Sequence, residues 1–475
     1  MLSGFTPHEP TTPASSTPPA QARPGSFWER TRLRWGVYLV GAAALSIVWP
    51  LLRSDLGSLP VYVLAEARMR GGEEVFAPAA NLTFSYPAAF ALPFLGAQAL
   101  PMRWLRTLAY FINLVLAAVG VELVLRRVLG WARSREGDGR SEAAPSPRRR
   151  RWLLVLLAAG TLRHLLSPVE YQSHDLVIFL LVVLSAEAAS RSREGWAGVA
   201  AGVAAAFKVT PLLLLPVFAA QGRARAAGAL LLALACVTAA PEIAFPRQDG
   251  RLWSVAWVES FVLKLDATGP ADVKGTWNRW NPLNQNLSGT LHRLTTPPRK
   301  PSAEEPDVTL VALRPGVGKA LTLAAQLVVL GWLLVTTWRG WSRRLAPRER
   351  AMQRWGEFGV AACAMLLLSP MSSKAHFATL LLPVAFCAAD ALFRRSHAIT
   401  WTAVGLAAAT GVLAAKDIVG REWGNLLLTA GCVTWTTVAL FFASGWALLD
   451  RARSLAKPDA DAERSPAPAA QGAPA

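Results

Sequence analysis

Apolar segments recur along this chain at about 37–52, 104–125, 152–168, 175–190, 196–208, 211–221, 226–245, 317–338, 356–370, 376–392, 398–415 and 424–449. A run of roughly 20 apolar residues is what a helix needs to cross about 30 Å of hydrocarbon, where every backbone polar group must be satisfied within the segment. The twelve segments therefore predict an all-α polytopic membrane protein with about 12 transmembrane helices. Two of them flank Lys208-Val209-Thr210-Pro211 and are too short to span alone. They read either as two half-length or tilted helices or as one re-entrant hairpin.

Composition agrees with this class. Of 475 residues 53% are hydrophobic and 17% are charged, while the formal net charge is +18. A soluble domain carries about 25% charged residues. In a soluble protein such an excess of Arg and Lys points to nucleic acid, but in a membrane protein it reports orientation. Basic residues collect before the first segment, in the loop from Arg126 to Arg151, in the turns at Arg191/Arg193, Arg223/Arg225 and Arg394/Arg395, and between Arg339 and Arg354. The positive-inside rule makes that side cytoplasmic, with both termini inside and no nucleic-acid partner. The reading is a transmembrane domain over 35–450, between polar cytoplasmic tails at 1–34 and 451–475 that are too poor in apolar surface to fold. Cys236, Cys363, Cys387 and Cys432 lie in apolar runs and read as small apolar fillers.

Two long loops are then extracytoplasmic. In the first, 53–103, the apolar stretch 86–101 contains Pro87, Pro93 and Pro101 and reads as an interfacial helix rather than a span. The second, 246–315, carries Trp253, Trp257, Trp277 and Trp280, which fit either interfacial anchors or a sugar-stacking surface. Charged groups at the ends of spans are costly and need a partner or a task. On the outward ends sit Asp55, His164, Glu170, Gln172, His174, Asp175, Lys208, Lys374 and His376, a set able to bind an anionic head group and activate a hydroxyl. Plainer readings stand beside each: Lys208 as a snorkelling lysine, His174-Asp175 as a helix cap, Asp55 as a loop acid, and Asn281 to Gly289 as a turn before a short helix. The sequence has no Gly-Lys-Ser/Thr phosphate loop, dinucleotide fingerprint or His-Glu-x-x-His, and no Asp-x-Asp pair outside the polar C-terminal tail. A nucleotide donor in a cytosolic domain is not expected, nor is a metal or other cofactor.

Four places resemble the integral-membrane glycosyltransferases of the GT-C class, most closely glycosyltransferase family 87, the group around polyprenol-phosphate-mannose-dependent mannosyltransferases. They are Val61-Tyr62-x-x-Ala65-Glu66-Ala67 with Gly71-Gly72, Phe76 and Tyr86-Pro87; Tyr171-Gln172; the glycine-rich run from Ala197 to Phe207 ending in Lys208-x-x-Pro211; and Asn284-Gln285-Asn286-Leu287 with Ser369-Pro370 and His376. The resemblance implies a GT-C-like bundle in a bacterial plasma membrane. A hexose, most often mannose, would pass from a polyprenyl-phosphate sugar to a lipid or glycan hydroxyl with inversion. It also implies a carboxylate base, for which Asp55 and then Glu66 are the candidates, since Ser58 stands where the family usually has its acid. Tyr62, Gln172, His174, Lys208, Asn284, Gln285, Lys374 and His376 are the implied substrate and phosphate contacts. A multi-span transporter or flippase of a lipid-linked or anionic substrate is the competing class, because interrupted helices also line transport sites.

Overall fold

A computed structural model describes residues 25–52, 55–76, 83–136, 146–266, 280–298, 300–339, 341, 345–394 and 397–454. Trp277 and the ends of the chain lie outside the described residues. The described residues form α-helices and 3-10 turns and contain no strand. In chain order the helices are α1 (Gly25–Leu52), α2 (Leu59–Arg70), α3 (Met102–Glu136), α4 (Pro147–Glu170), α5 (Asp175–Ser190), α6 (Glu194–Phe207), α7 (Leu214–Ala220), α8 (Ala224–Ala244) and α9 (Trp253–Ser260). They continue as α10 (Leu287–Thr295), α11 (Pro315–Thr336), α12 (Pro347–Leu368), α13 (Leu381–Phe393), α14 (Ala398–Leu413), α15 (Lys416–Val419), α16 (Arg421–Thr429) and α17 (Cys432–Ser454).

The apolar segments of the sequence fall largely on helix, although 424–449, expected as one span, breaks between α16 and α17 at Ala430-Gly431, and seven of the helices among the described residues are long and apolar enough to cross a membrane. The chain is thus a helical membrane protein. The seven are Arg34–Leu52, Met102–Arg133, Pro147–Glu170, Ala224–Ala244, Pro315–Thr336, Lys374–Phe393 and Cys432–Ser454. Helices α1 and α17 run into the stretches expected to be tails, from Gly25 at one end and to Ser454 at the other.

Lys374–Phe393 is the central pillar, with nearly all of its residues buried and α3, α4, α12, α14 and α17 packed around it. A second contact explains the glycine-rich run. A Cβ on Gly198 would fall 2.2 Å from the Ala226 carbonyl oxygen, and one on Gly202 would fall 2.4 Å from that of Leu230. Small residues spaced by four let the backbones of α6 and α8 touch, which is how helices associate where lipid removes the hydrophobic drive.

The 86–101 stretch, expected as an interfacial helix, is helical but not α-helical. It forms two 3-10 turns, Ala88–Phe94 and Ala97–Ala99, because Pro93 removes a helical donor and Gly96 takes a left-handed φ of 77°. The first turn packs inward, where Phe84, Phe90 and Ala91 join Tyr62, Met69, Phe76, Trp253 and Phe261 in one buried cluster, while Leu95, Gln98 and Leu100 stay exposed. The two long loops therefore form a joint subdomain. Arg247 clamps it through Glu74 at 2.7 Å and Asp249 at 2.6 Å, and the N–H of Gln248 donates to the Gly72 carbonyl. Trp253 is only 1% exposed, with Arg247 over its ring, so it is a core residue and not a membrane anchor.

The charge is distributed along the bundle as the helix directions require. One end holds Arg127 with Glu187, Arg223 with Glu194, Arg394 with Asp390 and Asp450, and Arg451 with Glu349. The opposite end holds Asp175, Lys208 and His376.

Candidate functional site

The site begins at the α4–α5 turn. Pro168 in the last turn of α4 is followed by Tyr171 as cap and by Gln172 with a left-handed φ of 49°. That reversal places Asp175 as the first residue of α5 and turns it into the bundle, where it is 5% exposed. The Ser173 hydroxyl donates to its Oδ2 at 2.8 Å.

Lys208 reaches the same carboxylate from α6. The helix ends at Phe207, and Lys208 is extended (φ −152°, ψ 120°), before Pro211 starts a 3-10 turn over Thr210–Leu213. The break points the lysine at α5, with Nζ 2.8 Å from Asp175 Oδ1. His376 is the third member. Ser373 caps its 3-10 turn, and the Ser373 N–H donates to His376 Nδ1 at 3.1 Å. With Nδ1 accepting, the ring proton sits on Nε2, which lies 3.6 Å from Asp175 Oδ1.

Beside this group the His174 ring is boxed by aromatic side chains, with ring centroids 4.2 Å from Tyr86 and 4.4 Å from Phe90, and its Nδ1 lies 3.2 Å from the Tyr62 hydroxyl. Burial, with Asp175 nearby, holds the Tyr62 phenol above the ordinary tyrosine range; Tyr86 is raised by burial, then Tyr62 and Asp175. Both stay neutral and serve as hydrogen-bonding walls. The fold thus brings together four of the expected residues, Tyr62, His174, Lys208 and His376, around a fifth, Asp175, which the sequence offered both as a member of the outward polar set and as a helix cap.

The other expected residues stand elsewhere. Asp55 is exposed, and its Oδ1 accepts the N–H of Gly57 at 2.9 Å. Glu66 is fully buried on α2, held by Arg70 at 3.4 Å and facing the Gly96 N–H. Gln172 donates to the Tyr110 hydroxyl at 3.1 Å. Asn284 and Gln285 are wholly enclosed. Asn284 Oδ1 accepts the Ser372 N–H at 3.0 Å, Gln285 donates its backbone N–H to the Ser372 carbonyl at 2.8 Å, and Asn286 Nδ2 donates to the Ser369 carbonyl at 2.8 Å. These three residues are a clasp on the loop that carries His376. Lys374 is half-buried and faces Arg163, Lys416 and Asp417 instead of Asp175.

An apolar cavity of about 450 Å³ opens between α6, α8, α9 and the first 3-10 turn. Ala205, Ala206 and Val209 form its wall on the Lys208 side, and Leu231, Ala235 and Trp257 also line it.

A family model, glycosyltransferase family 87, matches residues 84–370. The chain belongs to this family. The matched region contains Asp175, Lys208, Asn284, Gln285 and the Ser369-Pro370 pair, and ends before His376. Among curated proteins, none matches the chain. A membrane glycosyltransferase needs a donor site, a place for its leaving group and a base, and here a cation hydrogen-bonds a carboxylate at 2.8 Å, with an imidazole 3.6 Å from the same oxygen, at a buried helix terminus. Asp175 was legible only in part: it is an acid opening a helix that is then apolar as far as Leu184, but its partner lies 33 positions away across a helix break.

Proposed function

We propose that this glycosyltransferase moves a hexose, mannose foremost, from a polyprenyl-phosphate sugar to a lipid or glycan hydroxyl on the extracytoplasmic face of a bacterial plasma membrane. On this reading its helices form a GT-C-like bundle of about 12 spans with both termini in the cytoplasm. The observation that carries the donor class is the position of the apolar cavity beside Lys208, since Val209 and Ala206 line it on the Lys208 side. A lipid-linked phosphate presents both an apolar chain and an anion, and here an apolar space is lined by Val209, the chain neighbour of a buried cation. Orientation rests on the clustering of Arg127, Arg223, Arg354, Arg394 and Arg451 at the end away from Lys208.

The chemistry is a single inverting displacement. The acceptor oxygen attacks the anomeric carbon, a carboxylate takes the hydroxyl proton, and the phosphate leaves with the electron pair of the broken C–O bond. Lys208 and His376 are the groups that receive the phosphate charge.

The test uses the full chain in nanodiscs, given polyprenyl-phosphate-[¹⁴C]mannose or a nucleotide-[¹⁴C]mannose together with a bacterial lipid and glycan extract. Transfer of label from the lipid donor alone is the expected result. Transfer from the nucleotide sugar alone removes the donor assignment.

A further inference from the structure

The carboxylate at the centre of the site is already fully engaged. Asp175 Oδ1 takes Lys208 Nζ at 2.8 Å and faces His376 Nε2 at 3.6 Å, while Oδ2 takes the Ser173 hydroxyl at 2.8 Å. A carboxylate so held is stabilised in its charged form and is a poor proton acceptor. The other carboxylates near this end are engaged away from Lys208. Asp55 folds back on the Gly57 N–H, Glu66 pairs with Arg70, Glu170 pairs with Arg163, and Glu242 caps α9 through the N–H groups of Trp253 and Ser254. The only carboxylate among the described residues that shares an atom with Lys208 and His376 is therefore the one that Lys208 blocks.

Lysine is suited to changing partners. Its ammonium is a point charge on a flexible stem, without the fixed fork that ties an arginine to one geometry. Lys208 is 12% exposed and sits in a helix break whose next residue lines the apolar cavity. A phosphodiester held in that cavity by its lipid chain offers charged oxygens to the same ammonium.

We propose that Lys208 is a shared ion that switches from Asp175 to the donor phosphate, and that the carboxylate so released is the catalytic base. This rests on the donor reading given above. In the step, the acceptor O–H proton passes to a carboxylate oxygen of Asp175 as the acceptor oxygen bonds to the anomeric carbon. The bond from that carbon to the phosphate oxygen breaks, and its electron pair stays on the phosphate beside Lys208. The products are the glycosylated acceptor, polyprenyl phosphate and a protonated Asp175. Donor binding then precedes acceptor activation, because before it the base is masked.

The test measures polyprenyl phosphate binding and mannosyl transfer separately on the nanodisc-embedded protein. Asp175→Asn frees Lys208, so it binds polyprenyl phosphate at least as tightly as the parent while transfer falls on the order of 100-fold or more. Lys208→Met loses roughly tenfold or more in polyprenyl phosphate affinity. Size-exclusion profiles of both variants are compared first, and Asp175→Glu, which keeps the charge, recovers part of the transfer if the chain is folded. Loss of polyprenyl phosphate binding in Asp175→Asn, equal to that in Lys208→Met, makes Asp175 a brace for the lysine and overturns the exchange. Transfer abolished in Asp55→Asn but retained in Asp175→Asn overturns the base assignment. A parent protein that binds no polyprenyl phosphate overturns the donor reading and the exchange with it.

Discussion

Gly57 lies so close to Tyr171 that a Cβ on it would fall 2.4 Å from the Tyr171 carbonyl oxygen, and the N–H of Ser58 donates to that same oxygen at 2.9 Å. The start of α2 is thereby pinned to the cap of α4, one residue before the left-handed Gln172. Because Tyr62 leaves α2 one turn later and meets His174, this contact sets the wall of the site.

Gly57→Ala tests that link. Gly57 has φ +56°, which costs a residue with a Cβ about 1–3 kcal/mol, and here the added carbon also meets backbone that has little room to move. The expected outcome is a lower unfolding temperature in detergent together with a loss of sugar transfer, since α2 must lift away from Tyr171. Parent-like stability and activity count against the pinning argument.

Packing of α6 on α8 supports Lys208 in the same way. Gly202→Ala puts its Cβ 2.4 Å from the Leu230 carbonyl oxygen and 2.8 Å from Ala233 Cβ, so the helices must separate. Overpacking of this kind costs about 1–3 kcal/mol. Lys208 lies less than two turns on, and the expected readout is reduced thermal stability with weaker donor binding. Gly195→Ala, on the same helix where a Cβ meets nothing within 4 Å, leaves stability unchanged.

These two glycines also mark what the sequence could reveal. Apolar periodicity located the helices because an apolar run in a membrane has few alternatives to helix. The break at Lys208 was equally legible from Pro211. It was the long loops that the sequence misrepresented, since an apolar, proline-rich stretch reads as an interfacial helix unless one knows that Trp253 and Phe261 from a distant loop cover it. Asn284 and Gln285 misled for a related reason. Amide side chains bind sugars and backbone alike, and only tertiary pairing with Ser372 and Leu428 reveals that these two hold a loop in place. Asp175 gains its meaning from Lys208 and His376, which three separate helix ends deliver to one point.

The clasp on the His376 loop makes its own prediction. Asn286 caps α10 by accepting the Gly289 N–H at 2.7 Å and donates to the carbonyls of Ser369 and Pro370. Asn286→Ala removes the cap, worth about 1 kcal/mol, and leaves two carbonyls without their donor. His376 lies outside this hydrogen-bond set, so its loop loosens while the side chain itself is intact. Stability is expected to fall by about 1–3 kcal/mol, and transfer to fall through a raised donor KM, measured on purified protein.

The loop clamp is sensitive to acid. Burial pushes the Glu74 carboxyl up, but hydrogen bonding and charge from Arg247 hold it below the ordinary carboxylate value, and the Arg247 hydrogen bond lowers Asp249 likewise. Folded values below unfolded ones mean that this stabilisation is present above about pH 4 and is lost as pH falls through the depressed values. Both carboxylates are 43% exposed, so solvent screens the effect and the change is modest. Thermal unfolding of the parent between pH 6 and 3 is expected to weaken in the acid limb. Arg247→Met starts less stable and shows a shallower acid limb, whereas an unchanged slope shows that other carboxylates dominate.

The cavity allows the donor assignment to be tested without touching the polar site. Ala235 on α8 lines it and is exposed, so Ala235→Trp fills space without displacing packed neighbours. If an isoprenoid chain lies there, the indole excludes it, and an apolar chain loses about 25 cal/mol for each Å² it no longer buries. Loss of roughly 100 Å² of chain burial is then worth about 2.5 kcal/mol, close to a hundredfold in affinity. A soluble phosphate ester without an isoprenoid chain keeps its parent affinity, while the KM of the polyprenyl donor rises. The comparison of the two ligands on one variant separates a blocked chain site from a damaged fold, because damage weakens both.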